Sequence, residues 1–484
     1  MATKTPVEKA MAVLQKAMVA DFEQQHAILR QGDRIIIPET MAYRAAAEAI
    51  LRHEKEMDEP SQSLMEFDCH PADGLVAFYH AIQSQFGSLM GQSFESWFGT
   101  VPARSLNVFV DYGVTMTVPI GQASVPGLPI EFKIAPEFDE SDDDGGRLRV
   151  VASYKRMYEG LVKKIENFAR EELKNNSIFR GKAIDSKWNF LNAPNFDVSR
   201  VVYSAKERRQ VEANILTPIK HTPAWVDSGS PLKRGILLHG PYGTGKTLTA
   251  MLTARTCVEN GWTFVNVLPG DDVVKAIKFA SRYEPAVVFL EDIDAETGGE
   301  RGSRLNEILN TIDGVLSKAS KVMTILTTNH VEDIHRAMLR PGRLDALIEL
   351  GQMDKESVYD LIMAVAKDVR GANLLSGDVD KDTLYEAAEG LVPAFIVEAV
   401  TKAKAYALRR AGTDALAITQ QDVIDALDEL RPQWEMMKSA RPDKDHHLQA
   451  SLEETIRVQS KVDEHDKQFA EIRQVLNDIY SEVS

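Results

Sequence analysis

Gly240-Pro241-Tyr242-Gly243-Thr244-Gly245-Lys246-Thr247 stands between the apolar run Gly235-Ile236-Leu237-Leu238 and the helical pattern Leu248-Thr249-Ala250-Met251-Leu252. Glycines at 240, 243 and 245 allow positive φ and let successive backbone N–H groups surround a polyphosphate. The helix expected from Gly245 aims the positive end of its dipole at the same anion. Lys246 is spaced to reach the β- and γ-phosphates, and the Thr247 hydroxyl to ligate Mg²⁺. A glycine-rich turn alone would say little, but these eight residues in this order, between a strand and a helix, specify a phosphate-binding loop. Gly240 through Leu248 are therefore the candidate nucleotide-binding residues.

Working outward, residues 200–350 alternate apolar strands with helices, which implies a parallel sheet covered on both faces. The expected strands are Gly235–Leu238, Phe264–Val267, Val287–Leu290, Val322–Thr327 and a short one near Ala346–Leu350. Ligands of such sheets bind beyond the carboxyl ends of the strands, where the loop lies. Val287-Val-Phe-Leu290 runs into Glu291-Asp292-Ile293-Asp294. Two carboxylates at the end of a buried strand beside a phosphate loop suit metal-assisted hydrolysis: one organises Mg²⁺, the other polarises the attacking water. Thr247, Glu291 and Asp292 are the candidate metal-binding residues.

The chain has 484 residues, room for about three domains. Its formal charge of −16 argues against a non-specific nucleic-acid binder, whose affinity comes from Lys and Arg displacing counterions. Two cysteines far apart, Cys69 and Cys257, make no disulfide framework and fit a reducing compartment. No run approaches the roughly 18 apolar residues of a membrane span, and the start lacks a secretory core, so the expectation is a cytoplasmic protein with no membrane partner.

Residues 1–197 read as an α+β module: helical spacing over 6–30, a short strand at Ile35-Ile36-Ile37, helices from Pro38 and over Pro71–Phe86, then an antiparallel sheet from Ser105 to Ser153. The acidic loop Asp139–Gly146 lacks alternating calcium ligands and reads as a solvated hairpin tip. Tyr154–Lys174 reads as an amphipathic helix and 175–200 as a connector. His53-Glu54-Lys-Glu56-Met57 lacks the second histidine of a zinc-protease helix and reads as a solvated face. After Gly351 the pattern is wholly helical to about 432. From 441 to 484, Val458, Val462, Phe469, Ile472, Leu476 and Ile479 fall at helical spacing, as in a coiled coil or a docked amphipathic helix.

Several motifs in order now carry a resemblance. Ile219-Lys-His221-Thr-Pro223-Ala-Trp225, Pro231-Leu-Lys-Arg-Gly235, the phosphate loop, Glu291-Asp292, Leu326-Thr-Thr-Asn329 and Leu339-Arg340-Pro341-Gly342-Arg343-Leu344-Asp345 resemble the successive motifs of AAA-family ATPases, the AAA+ superfamily. The resemblance covers residues 198–432. It implies a P-loop NTPase sheet over 198–350, a helical lid over 351–432 and an extension over 433–484. It implies ATP and Mg²⁺ as cofactors, Asn329 as the sensor of the γ-phosphate, and Arg340 and Arg343 as arginine fingers acting on a neighbouring subunit. Asp313-Gly314 resembles the family's intersubunit signalling segment. The assembly implied is a homo-oligomeric, hexameric ring; residues 1–197 are the candidate module for a protein client or scaffold, and 441–484 a further candidate for partner binding or self-association.

Two departures stand out. The family's acidic pair is usually Asp-Glu; here Glu291 precedes Asp292, an order shared with the mitochondrial AAA translocase of the Rieske protein. Threading members carry an aromatic-hydrophobic-Gly loop where this chain has only Pro269-Gly270-Asp271-Asp272 before the helix Val273–Tyr283, and Phe279 and Tyr283 read as core. The loop Glu296–Gly302 is the available substitute for lining a ring channel. The expected activity is a Mg-ATP-hydrolysing remodelling machine. The alternatives are a nucleic-acid-linked loader and an ATP-binding assembly switch with negligible hydrolysis. A single-chain protease is disfavoured, since no His-Glu-x-x-His occurs among the 484 residues.

Overall fold

The computed structural model describes residues 29–439 apart from 32–33, 40, 97–98, 139–145, 294–319, 332–342, 352, 369, 378 and 412–416. They divide into two compact units, the first drawn from residues up to Ser177 and the second from Ile178 onward together with Phe109–Thr115. The expected hairpin tip 139–145, the channel loop 296–302, Asp313-Gly314 and the helical segment 441–484 lie outside the described residues.

In the first unit the alternating strands form an antiparallel sheet. Ile130–Glu137 pairs with Arg147–Lys155, which pairs in turn with Pro60–Phe67, an edge strand absent from the sequence reading. Alternate residues Met65, Phe67, Phe132, Ile134, Val150 and Ala152 are buried. The helices Pro71–Gln85 and Glu159–Asn175 supply Leu75, Phe78, Ile82, Val162 and Ile165 to the core. Phe78 meets Phe67 and Phe132 edge-on, at ring centroids 6.4 and 5.4 Å apart. The expected helix from Tyr154 begins later, at Glu159, because Tyr154 still belongs to the sheet, facing Ser61 on one side and Ile130 on the other.

In the second unit six parallel strands lie in the order Ala183–Asp185, Thr263–Val267, Ala286–Leu290, Val322–Thr328, Arg234–His239, Ala346–Glu349. Ala286–Leu290 and Val322–Thr328 are buried at every residue, as expected of strands covered on both faces. Truncating a fully buried side chain here, such as Phe289 to Ala, would cost about 3–5 kcal/mol. Residues 175–200 are more than a connector. Ala183–Asp185 is an edge strand of this sheet, and three residues are too few to show a strand period. Phe279 and Tyr283 are core as expected, Phe279 packing with Phe179 and stacking on Trp188 at 4.1 Å.

Four helices follow: Lys355–Val365, Lys381–Ala388, Pro393–Ala411 and Gln420–Ser439. Leu361, Ile362, Leu384, Ile396, Val400 and Leu427 join their common core. The last helix runs beyond the expected end near Leu430 and passes through Pro432, since Trp434 is buried against Phe395 at 5.3 Å and holds the extra turns to the core.

Candidate nucleotide site

The strand Arg234–His239 delivers the chain to the loop, and the helix Lys246–Glu259 takes it away with Gly245 as its left-handed N-cap, one residue later than the sequence suggested. Two glycines are dictated by close approach as well as by φ. A Cβ on Gly240 would sit 2.2 Å from the Leu350 carbonyl, and one on Gly243, whose φ is 81°, would sit 2.7 Å from the Ala394 Cβ. The Gly243 carbonyl also accepts from the Ala394 N–H at 3.0 Å, so the phosphate loop is stitched to the first turn of a lid helix. The chain leaves the sheet at Gly351, whose N–H donates to the buried Glu207 carboxylate at 2.6 Å. Gly243→Ala combines a strained φ with overpacking against the lid, each costing roughly 1 kcal/mol or more. ATP affinity measured by titration calorimetry should therefore fall about tenfold; an unchanged affinity would mean the stitch is dispensable.

Lys246 is buried, and its Nζ donates to the carbonyls of Gly240 (2.8 Å) and Pro241 (3.1 Å) and to Asn329 Oδ1 (2.7 Å). Asn329, just past the strand Val322–Thr328, donates through Nδ2 to Asp292 Oδ1 at 3.3 Å. Three candidates from three separate segments thus form one hydrogen-bonded series. Asp292 takes φ 38°, in the left-handed region, and its N–H donates to Thr327 Oγ1 at 2.8 Å.

Glu291 points elsewhere. Its Oε1 accepts from Asn266 Nδ2 at 3.1 Å, and it is hydrogen-bonded to Thr247. Burial holds its carboxyl above the usual glutamate range, with the neighbouring Asp292 charge pushing the same way. A raised folded-state pKa favours the protonated acid, so stability is greatest below the unfolded-state value and is lost as pH rises through the folded-state value. Glu291→Gln should melt at a higher temperature than the parent chain at pH 7.5, with the gap closing towards pH 4. Equal melting temperatures at both values would remove burial as the cause. A hydroxyl and two carboxylates are all hard oxygen donors, and that set fits Mg²⁺ completed by water and phosphate oxygens.

A cleft of about 410 Å³ opens here, and Tyr242–Leu248, Asp292 and Asn329 line it. That volume suits a small-molecule ligand. Val201, Val202, Tyr203, Leu361 and Val397 supply apolar walls to the same cleft. The Tyr203 hydroxyl bonds Thr249 Oγ1 at 2.8 Å, and burial pushes its phenol pKa well up. These walls fit the flat face of a base, and sequence reasoning missed them. The available signal was the β-type triplet Val201-Val202-Tyr203 directly before the helix-capping Ser204.

Residues 236–352 match the family described as ATPase family associated with various cellular activities (AAA). This stretch is an AAA ATPase domain. Relatives matching the chain around it include the 26S proteasome regulatory subunit 8 homolog B of Arabidopsis thaliana, 29% identical over 236 residues, 44% of this chain and 54% of the relative. The proteasome-activating nucleotidase of Pyrococcus furiosus is 30% identical over 261 residues, 50% of this chain and 63% of its own length. The ATP-dependent zinc metalloprotease FtsH 3 of Sphaerobacter thermophilus is 33% identical over 242 residues, 46% of this chain and 47% of its own. The chain thus spans about half the length of the curated relatives it matches. The family and these relatives support ATP hydrolysis as the chemistry of the AAA domain.

Of the two expected fingers, Arg343 is not among the residues lining the cleft. Arg340 lies outside the described residues. Arg343 stands in the turn before Ala346–Glu349, where Asp345 exchanges hydrogen bonds with Gly235: its N–H donates to the Gly235 carbonyl at 2.7 Å and its Oδ2 accepts from the Gly235 N–H at 3.0 Å. Gly235 opens the strand that ends at the phosphate loop, so Arg343 is anchored at the far edge of the sheet, about 16 Å from the loop at 3.3 Å per residue. After Thr263–Val267 the segment 268–272 makes a tight turn. Asp271 Oδ2 accepts from the Leu268 N–H at 3.2 Å and from the Ser186 hydroxyl, and Asp272 caps the next helix. Among the described residues no helix is long and apolar enough to cross a membrane.

Proposed function

We propose that the chain hydrolyses Mg-ATP as one subunit of a homo-oligomeric, hexameric ring and uses the cycle to remodel a protein partner. The observation that carries this reading is the hydrogen-bonded series Lys246, Asn329, Asp292 in a cleft that apolar side chains also line. Backbone N–H groups of residues 240–248 hold the phosphates, Lys246 reaches the β- and γ-oxygens, and the walls at Val201–Tyr203, Leu361 and Val397 take the base. Thr247 and Glu291 hold Mg²⁺, with Asp292 beside them. Bound there, the metal neutralises charge on the β- and γ-phosphates. Asp292 accepts the proton of the attacking water, and Asn329 orients both against the γ-phosphate.

Arg340 and Arg343 act in trans on the neighbouring subunit's nucleotide. Relatives named as proteasome regulatory subunits and a proteasome-activating nucleotidase favour a protein as the object of the work. Residues 1–197, with 441–484, hold that client. The short turn at 268–272 offers no aromatic residue to grip an extended polypeptide. This feature and the Glu291-Asp292 order align the chain with the Rieske-protein translocase type of AAA machine rather than with hand-over-hand threaders.

The test is steady-state ATPase activity across protein concentration. Specific activity should rise with assembly and reach a plateau once rings form. Tight nucleotide binding with no turnover at any concentration would sink the reading and leave an ATP-binding assembly switch.

A further inference from the structure

Asp292 is the shorter of the two acids and sits where, on the reading above, a carboxylate must polarise water. Its backbone is unusual too. At φ 38° it occupies the half of the map that side-chain-bearing residues mostly avoid, and Asp and Asn are the residues that tolerate it. Such a conformation persists only where its surroundings impose it. The surroundings here are specific. Thr327, buried in the adjacent strand Val322–Thr328 and absent from the cleft lining, accepts the Asp292 N–H at 2.8 Å, and its hydroxyl reaches Asp292 Oδ1 at 3.5 Å. One residue on, the Ile293 N–H donates to the Thr327 carbonyl at 3.1 Å. One threonine therefore touches the backbone on both sides of the bend and the carboxylate that the bend aims. The carboxylate so aimed meets Asn329 Nδ2 at 3.3 Å and, through it, Lys246.

We propose that Thr327 is a positioning residue that holds Asp292 in its left-handed conformation, and that this turn of the backbone replaces the reach lost with the shorter acid. The inference rests on the reading of Asp292 as the water-polarising base. A glutamate at 292 would be worse placed than the native aspartate: it is less tolerated at this φ, and its extra methylene carries the carboxylate past Asn329. The acidic order and the left-handed turn are then one adaptation, and neither is useful alone.

The experiment compares full-length Thr327→Val, Thr327→Ser, Asp292→Glu, Asp292→Asn and the double variant Thr327→Val/Asp292→Asn. It follows kcat, KM for Mg-ATP, affinity for a fluorescent ATP analogue and melting temperature. Thr327→Val should lose about tenfold or more in kcat, the scale set by ångström-level misplacement of a reacting group, with KM and analogue affinity within about twofold. Thr327→Ser, which keeps the oxygen, should restore the rate. Asp292→Glu should be slower than the parent by at least about tenfold despite its longer reach. The double variant should be no slower than Asp292→Asn, because Thr327 acts through Asp292.

Thr327→Val turning over at the parental rate would overturn the inference while leaving the ATPase reading intact. Should Thr327→Val not fold, Asp292→Glu decides, and a rate at or above the parent's overturns the proposal. A parent chain that binds the analogue without turning over ATP would remove the reading and this inference together.

Discussion

Lys246→Ala abolishes Mg-ATP turnover, with an expected loss of about a thousandfold, the scale seen when a fixed cation or donor aimed at developing phosphoryl charge is removed. Its ammonium is buried and surrounded by three oxygens, the Gly240 and Pro241 carbonyls and Asn329 Oδ1. Phosphate oxygens compete for the same donors, so the side chain is poised to exchange backbone acceptors for the ligand's. Asn329 loses its Lys246 partner at the same stroke, while its bond to Asp292 remains. The variant should therefore lose both nucleotide affinity and chemistry. Turnover by phosphate release, analogue binding and melting temperature together make the check. A Lys246→Ala protein with the parental melting temperature and the parental rate would show that hydrolysis happens somewhere else.

The second large effect separates the two halves of a shared site. Arg343 is fastened at the amino end of the strand whose carboxyl end carries the phosphate loop, because Asp345 grips Gly235. A Cβ on Gly235 would fall 1.8 Å from the Arg343 carbonyl, so strand and turn meet backbone to backbone there. An arginine held there stands away from its own phosphate loop, which agrees with the trans role proposed for it. Arg343→Ala should cost about a thousandfold in turnover, as loss of an arginine finger does, with nucleotide affinity nearly unchanged. Mixing inactive Lys246→Ala and Arg343→Ala chains before assembly should restore activity, since some interfaces then pair an intact lysine with an intact arginine. If sites fire independently, a random equal mixture recovers about a quarter of the parental rate. No recovery on mixing, with rings demonstrably assembled, would sink the trans assignment.

Most of the nucleotide machine was legible because its chemistry is local. The phosphate loop, Glu291-Asp292 and Asn329 each follow a continuous apolar strand, and a parallel sheet brings the ends of such strands together. Less legible were features whose cause is tertiary. Ala183–Asp185 is too short to show a period and is a strand only because Thr263–Val267 offers it an edge. Tyr154 continues a strand because two neighbours pair with it, although the residues around it also fit a helical face. The last lid helix outruns Pro432 because Trp434 has a pocket to fill. In the site itself, Val201, Val202 and Leu361 are ordinary apolar residues until the fold faces them across a cleft. The left-handed turn at Asp292 had no signal at all; nothing in the residue order foretells that Thr327 will stand beside it.

The stitch between Gly243 and Ala394 joins the phosphate loop to the whole helical core that follows it. Ala394 is the second residue of a helix of 19 residues, about 28 Å long at 1.5 Å per residue. Phe395, Ile396, Ala399, Val400, Ala403 and Ala407 bury one face of that rod among the other lid helices, so it cannot shift by itself. A change of backbone at Gly243 therefore has either to break its bond to Ala394 or to be shared by the entire four-helix body.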